Sequence, residues 1–188
     1  HAIWDDLGLS FPRGGSGEHD INIETNASVA IVEAWAQLMQ AASPVSYGLC
    51  NFPLSSVVRG ENIEQNHWWM GVDAYKKYKD TGHWTNPNKN SGDIVEGAVA
   101  SVLWDIADTP EMIERLQCSA KKLFTPPIVD DDPLGLGLEP IVEIIKGDKD
   151  IRSIWDFLRH WVDTTDGSPK KYGHEEEIAE ICRNHGII

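Results

Sequence analysis

Cysteine is scarce, with Cys50, Cys118 and Cys182 the three in 188 residues and no CxxC pair among them. That excludes a structural zinc knuckle and leaves two arrangements open: one disulfide plus a free thiol, or three reduced, buried thiols. No apolar run nears the roughly 20 residues of a bilayer-spanning helix, so membrane insertion is not expected. Positive charge is short too: 16 Lys and Arg face 30 Asp and Glu, for a net charge of −14. Phosphate binding needs a basic face, so nucleic acid and anionic membranes are not expected as partners. The acidic balance favours solubility and fits an extracellular or high-salt setting. A complete HExxH is missing: His174-Glu175-Glu176-Glu177-Ile178 opens like one but lacks the second His. Its acids suit a helix N-terminus instead. Gly135-Leu136-Gly137-Leu138 has neither the Lys-Ser/Thr nor the preceding strand of a phosphate loop. No Ser/His/Asp or Cys/His set can be assigned by spacing. No secretory leader is readable, and the chain opens at His1, not Met, so it reads as a processed product, an excised domain or a partial sequence.

Strand-like alternation, hairpins and internal repeats are also missing, whereas helical periodicity is strong. Thr25 or Asn26 can cap a helix in which Val29, Val32, Trp35, Ala36 and Met39 recur at helical spacing, ending before Pro44. A shorter helix is predicted at about 65–79. A second strong helix runs from Asp93 to Ala107, and its small residues Gly97, Ala98 and Ser101 predict a central, buried position. Thr109-Pro110 starts a further helix, with Thr as cap and Pro in first place. Leu138 to Lys146 is helical and stops at Gly147. Asp150 is expected to cap the next helix, with Ile151, Ile154, Trp155, Leu158, Trp161 and Val162 as its apolar stripe. The last helix runs from about His174 to Asn184, with Gly186 just beyond. The fold class is therefore mainly α, expected as a single domain over 1–188, with 1–24 an irregular segment leading into the helical core.

Two stretches carry a resemblance. Glu33-Ala34-Trp35-Ala36-Gln37-Leu38 resembles the helix of thermolysin-like gluzincin peptidases that supplies the third zinc ligand, in the Glu-Gly-Trp-Ser/Ala form of fungalysin-like members. The run Gly92-Asp93-Ile94-Val95-Glu96-Gly97-Ala98-Val99-Ala100-Ser101-Val102-Leu103-Trp104-Asp105 is similar to a later helix of the same family, reading Gly-x-Val-Trp-Ala-x-x-Leu-Trp-Glu. Ile154-Trp155-Asp156-Phe157 and Asn184-His185-Gly186-Ile187 resemble the C-terminal helices of secreted relatives. The likeness spans most of the chain at low identity. It implies the C-terminal helical half of a zinc peptidase, a peptide or protein substrate and an extracellular location.

The resemblance also implies roles. In such peptidases two histidines at i and i+4 point at one zinc, and the Glu beside the first activates the zinc-bound water. His1 would stand for the second histidine, and Glu33, 32 positions later, for the third ligand. The first His and the catalytic Glu have no match in this chain, so peptide hydrolysis is expected of the parent and not of this chain alone. Asp93 or Ile94 stands near the place of the family's transition-state-stabilising His, and an ionised carboxylate cannot donate a hydrogen bond to an oxyanion.

Each candidate also has a plainer reading. Glu33 could be a salt-bridged structural acid, although burial amid Val32, Ala34, Trp35 and Ala36 is costly for a carboxylate without a partner. His1 could be an ordinary chain end. His19 is a solvated loop residue, a substitute ligand or a substrate contact. Glu96 and Asp105 face a polar cleft or cap neighbouring helices. His67 with Trp68 and Trp69, and His83 with Trp84, read as packing pairs or as an aromatic cleft. Asp130, Asp131 and Asp132 are hard donors for calcium, but lack the spacing and Gly of an EF-hand loop and read as a solvated acidic turn. Two alternatives to a peptidase follow. One is a non-catalytic extracellular structural or binding domain of the same fold. The other is a copper site using the amine and imidazole of His1, against which stands the β-sandwich fold of the copper oxygenases that bind metal in this way.

Overall fold

The structure is a computed structural model and describes residues 24–46, 92–110, 112, 134–147, 150–162 and 172–188. Among these the chain is mainly helical, with no strand and one isolated antiparallel bridge, Glu24 to Val95. In chain order the elements are α1 (Ala27–Ser46), a 3-10 turn (Gly92–Ile94), α2 (Glu96–Ala107), α3 (Glu139–Gly147), α4 (Ile154–Val162) and α5 (Glu175–Asn184). The predicted helix at 65–79, the acidic turn at 130–133, and the His67 and His83 aromatic pairs lie outside the described residues.

Asn26 caps α1, its Oδ1 accepting from the Val29 N–H at 3.0 Å. Thr25 turns to the second helix instead: its N–H and its hydroxyl both donate to the Ile94 carbonyl, at 2.8 and 3.0 Å. The starts of α1 and α2 are thereby tied together. Contrary to the expected stop before Pro44, α1 continues to Ser46. Within the last turn a proline forfeits a single ladder bond, a small part of what holds a 20-residue helix.

α1 and α2 pack along each other and form the centre of the core. Ile31, Trp35, Leu38, Leu103 and Trp104 are almost fully buried there. Each such side chain contributes about 1.5–3 kcal/mol through removal from water. Ala30, Ala34, Ala98 and Gly97 are buried between them and allow the close approach that the small residues predicted. Every residue of α2 from Glu96 to Ala107 is buried. Past its end the chain doubles back, with the Leu136 and Gly137 N–H groups donating to Ile106 and Ala107 carbonyls at 3.0 and 2.9 Å. The expected capping of the following helix is visible at its start, where Thr109 Oγ1 accepts from the Met112 N–H at 3.3 Å.

The cap of α4 is Ser153, not Asp150. Ser153 Oγ accepts from the Asp156 N–H at 3.0 Å and donates to Asp156 Oδ2 at 2.9 Å, and that same oxygen accepts from the Arg152 N–H. The reciprocal Ser-x-x-Asp arrangement satisfies two orphan donors at once. Asp150 pairs with the exposed Arg152 guanidinium. The apolar stripe of α4 is likewise shifted. Ile154, Phe157 and Trp161 are buried and Leu158 packs against them, whereas Trp155 and Val162 are both 42% exposed. The spacing 154, 157, 158, 161 keeps one helical face, and Trp155 falls off it. Trp161 Nε1 donates to the Gly173 carbonyl at 2.9 Å, and the Tyr172 hydroxyl to Glu143 Oε2 at 2.6 Å, which joins α4 and α3 to the segment entering α5.

α5 ends in a Schellman motif. Ile187 N–H donates to the Cys182 carbonyl at 2.8 Å and Gly186 N–H to the Arg183 carbonyl at 3.0 Å, with Gly186 at φ 67°. This turn seats against Gly92, whose N–H donates to the Gly186 carbonyl at 3.2 Å. A Cβ on Gly92 would meet the His185 carbonyl oxygen at 2.5 Å, so only glycine fits there.

The two cap assignments for α4 make opposite predictions. Ser153→Ala is expected to cost about 1 kcal/mol of stability in denaturant unfolding, and Asp150→Ala less than about 0.5 kcal/mol. The reverse order would restore Asp150 as the cap.

Candidate functional site

Burial along α1 is nearly continuous from Val29 to Trp35, interrupted at Glu33, which is half-buried. Ala36 and Gln37 are half-buried as well. Residues four apart share a helix face, so Glu33 and Gln37 lie on one partly open polar stripe of an otherwise apolar helix. Gln37 Nε2 donates to Glu96 Oε2 at 3.4 Å. Glu96 is 3% exposed and opens α2, where a negative charge is favoured by the peptide dipoles. The other amide atom, Gln37 Oε1, is buried and accepts no hydrogen bond. An amide oxygen in that state is matched by an N–H or O–H donor or by a hard cation.

Asp93 lies three residues before Glu96, in the 3-10 turn. Its Oδ2 accepts from Trp155 Nε1 at 2.9 Å, which ties the turn to α4 across 62 positions of sequence. Of the residues singled out in the sequence, Glu33 lies on α1, Asp93 in the 3-10 turn and Glu96 at the start of α2, three elements packed together. His1 and His19 lie outside the described residues. Among the described residues no group of three or more His, Cys, Asp or Glu is arranged to hold a metal. Glu33 could provide one carboxylate ligand.

A second polar cluster is fully internal. His185 Nε2 and Asp105 Oδ2 are 2.6 Å apart, with side chains 1% and 4% exposed. At that distance the contact is a charge-assisted hydrogen bond when the imidazole is protonated, and an N–H donated to a carboxylate when it is neutral. The pair joins the C-terminal turn to the last turn of α2, while the same turn holds Gly92 ahead of the helix's first residue. The start and the end of α2 are thus fixed by one four-residue segment. Cys182, one turn before His185, is buried and free. Burial pushes its thiol up to about 12, the negative charge of Asp105 adds to the rise, and Arg183 opposes it. Such a thiol is inert as a nucleophile. Cys50 and Cys118 lie outside the described residues.

Sequence reasoning missed Gln37, the Trp155–Asp93 bond and the Asp105–His185 pair. A signal existed for the first, since Gln37 stands four residues after Glu33. None existed for the others, whose partners are 62 and 80 positions apart. No family model, curated protein or solved structure matches the chain.

Truncating one member of the internal pair leaves the other buried without its partner. Asp105→Ala is expected to lower unfolding free energy by about 3 kcal/mol. An effect below about 1 kcal/mol would mean that water reaches His185.

The thiol gives a pH prediction. A proton held more tightly in the folded state favours folding fully below the ordinary thiol value of 9.0. The contribution is lost progressively as pH rises from there to about 12. Cys182→Ser is expected to flatten the alkaline decline in stability, and the native thiol to resist iodoacetamide at pH 8 in peptide mapping until the chain is unfolded. Rapid native alkylation of Cys182 would contradict the burial.

Proposed function

We propose that this chain is the helical part of a gluzincin-like zinc site that acts on peptide or protein substrates outside the cell. Glu33 is the zinc ligand on α1, and His1 is the second ligand that the resemblance supplies. The observation that carries the reading is the polar stripe of α1, where a half-buried carboxylate and a buried amide oxygen without a hydrogen bond stand one turn apart on a helix otherwise packed in the core.

The elements around that stripe have roles of their own. α2 holds Glu96 against Gln37 and so fixes the amide one turn from Glu33. Close packing against α2 prevents α1 from rotating, which keeps the Glu33 carboxylate on its open side. Asp93 does not supply an oxyanion donor. Its carboxylate accepts the Trp155 indole N–H, and the 3-10 turn serves as a brace between α4 and the start of α2. When bound, zinc would polarise a scissile carbonyl and lower the pKa of a coordinated water. The chain contains no matched general base, so the proposal covers metal and substrate binding alone.

The test is metal content of the purified chain after zinc loading and desalting, read by mass spectrometry. Near-stoichiometric zinc is expected, falling at least about tenfold in Glu33→Gln and in His1→Ala, since each removes one of few protein ligands. Glu33→Gln keeps the side-chain volume, and circular dichroism checks that α1 persists. Zinc that is absent, or indifferent to Glu33→Gln, would overturn the reading and favour a non-catalytic scaffold. Copper lost with His1→Ala alone would favour the terminal imidazole–amine site.

A further inference from the structure

Trp155 has left the apolar face of its helix and is 42% exposed, yet its orientation is fixed. The indole N–H is committed to Asp93 Oδ2 at 2.9 Å. The carboxylate in turn is half-buried, so part of it faces solvent. The cations nearest in sequence each have a carboxylate of their own, Arg152 with Asp150 and Arg159 with Asp156, both at 3.4 Å. An aromatic surface rigidly joined to a carboxylate is the combination that recognises a guanidinium or ammonium group. The ring attracts the cation through its negative face, and the carboxylate oxygen accepts its N–H. The net charge of −14 draws cations towards the protein as a whole.

We propose that Trp155 and Asp93 form a subsite for a basic side chain of a peptide, arginine above all. The planar guanidinium stacks on the indole and donates to the solvent-facing part of the Asp93 carboxylate. The subsite lies on the turn leading into α2, three residues before Glu96, the carboxylate that accepts from Gln37 of α1. It rests on the peptide-site reading above and names its substrate class, peptides carrying Arg or Lys. An uncharged residue of the same shape lacks both interactions.

The experiment uses the full chain labelled with nitrogen-15 and reads the indole N–H resonance of Trp155, assigned through its loss in Trp155→Phe. Acetyl-Gly-Arg-Gly-amide is titrated against the same peptide with citrulline, which keeps the shape and loses the charge. The arginine peptide is expected to shift the Trp155 resonance saturably, and the citrulline peptide not to. Asp93→Asn retains an acceptor for the indole and so preserves the brace. It should weaken arginine binding about three- to tenfold, as loss of one partly exposed charge contact predicts. Equal responses to arginine and citrulline, no response to either, or full affinity in Asp93→Asn would each overturn the subsite. Neither zinc nor hydrolysis enters the measurement. Failure of the zinc test with arginine selectivity intact removes the metal reading alone, and zinc binding without arginine selectivity removes the subsite alone.

Discussion

Helix α2 has no solvent-facing side, so every polar side chain on it must be met from a neighbouring element. Glu96 is met by Gln37 from α1, and Asp105 by His185 from the C-terminal turn. These contacts do more than offset desolvation. Apolar packing of small residues alone would let α2 slide or rotate against α1, because an alanine–glycine face has little relief. Two directional contacts at opposite ends of a 12-residue helix remove that freedom. The glycine contact at residue 92 adds a steric stop, since the 3-10 turn can approach the C-terminal turn only without a side chain. The same packing holds α1: Gln37 reaches the buried Glu96 of α2, while Glu33, one turn earlier, is half-buried.

The stripe on α1 carries one long polar contact and one buried amide oxygen. Other polar contacts are shorter: 2.6 Å for Asp105–His185, 2.9 Å for Trp161 to Gly173, and 3.0 Å or less for the α4 cap. Gln37 combines a long contact of 3.4 Å on one side with a buried oxygen that accepts nothing on the other. Alanine or leucine at that position would fold with less penalty, because burial of an amide oxygen without a donor costs on the order of 1–3 kcal/mol.

What could be read from the sequence follows the range of the interaction responsible. The helical class, a cap at Thr25 or Asn26, the small-residue face of α2 and the glycine after α5 are decided within a few residues, and all are legible. Pro44 misled because a proline in a final turn costs one bond, which the rest of α1 can bear. Asp150 misled because Ser153, three residues further on, forms a reciprocal pair with Asp156 that a single aspartate cannot match. Trp155 was counted as core because size and apolarity suggest burial. Its indole N–H instead found a carboxylate 62 positions away, and no local pattern encodes that. The same holds for Asp105 and His185: each looked like an isolated polar residue, and only the docking of the C-terminal turn explains both. Glu33 was legible as an anomaly, a charge amid apolar neighbours, and Gln37 shares its face by helical spacing, but the Glu96 that Gln37 meets is set by the packing of α2.

The two surface features share one architectural cause. A tryptophan excluded from the core costs hydrophobic burial, and the bond to Asp93 recovers only part of it, because a single hydrogen bond to a charged group is worth about 1.5–3 kcal/mol and both partners remain partly in water. Packing Trp155 inward would require α4 to rotate by about one residue, about 100°. That rotation would pull Phe157 and Trp161 out of the core, break the bond from Trp161 to Gly173 and separate the rings of Trp161 and Tyr172, now 4.8 Å apart. The larger aromatic investment lies on the inner face, so α4 keeps its present rotation and Trp155 stays outside. Its position at the turn that leads into α2 is then set by the same packing that orients Glu96. A displaced aromatic ring, a carboxylate on a braced turn and a polar stripe on α1 all descend from one buried helix. A basic peptide side chain held at Trp155 would be positioned by the element that also positions Glu33.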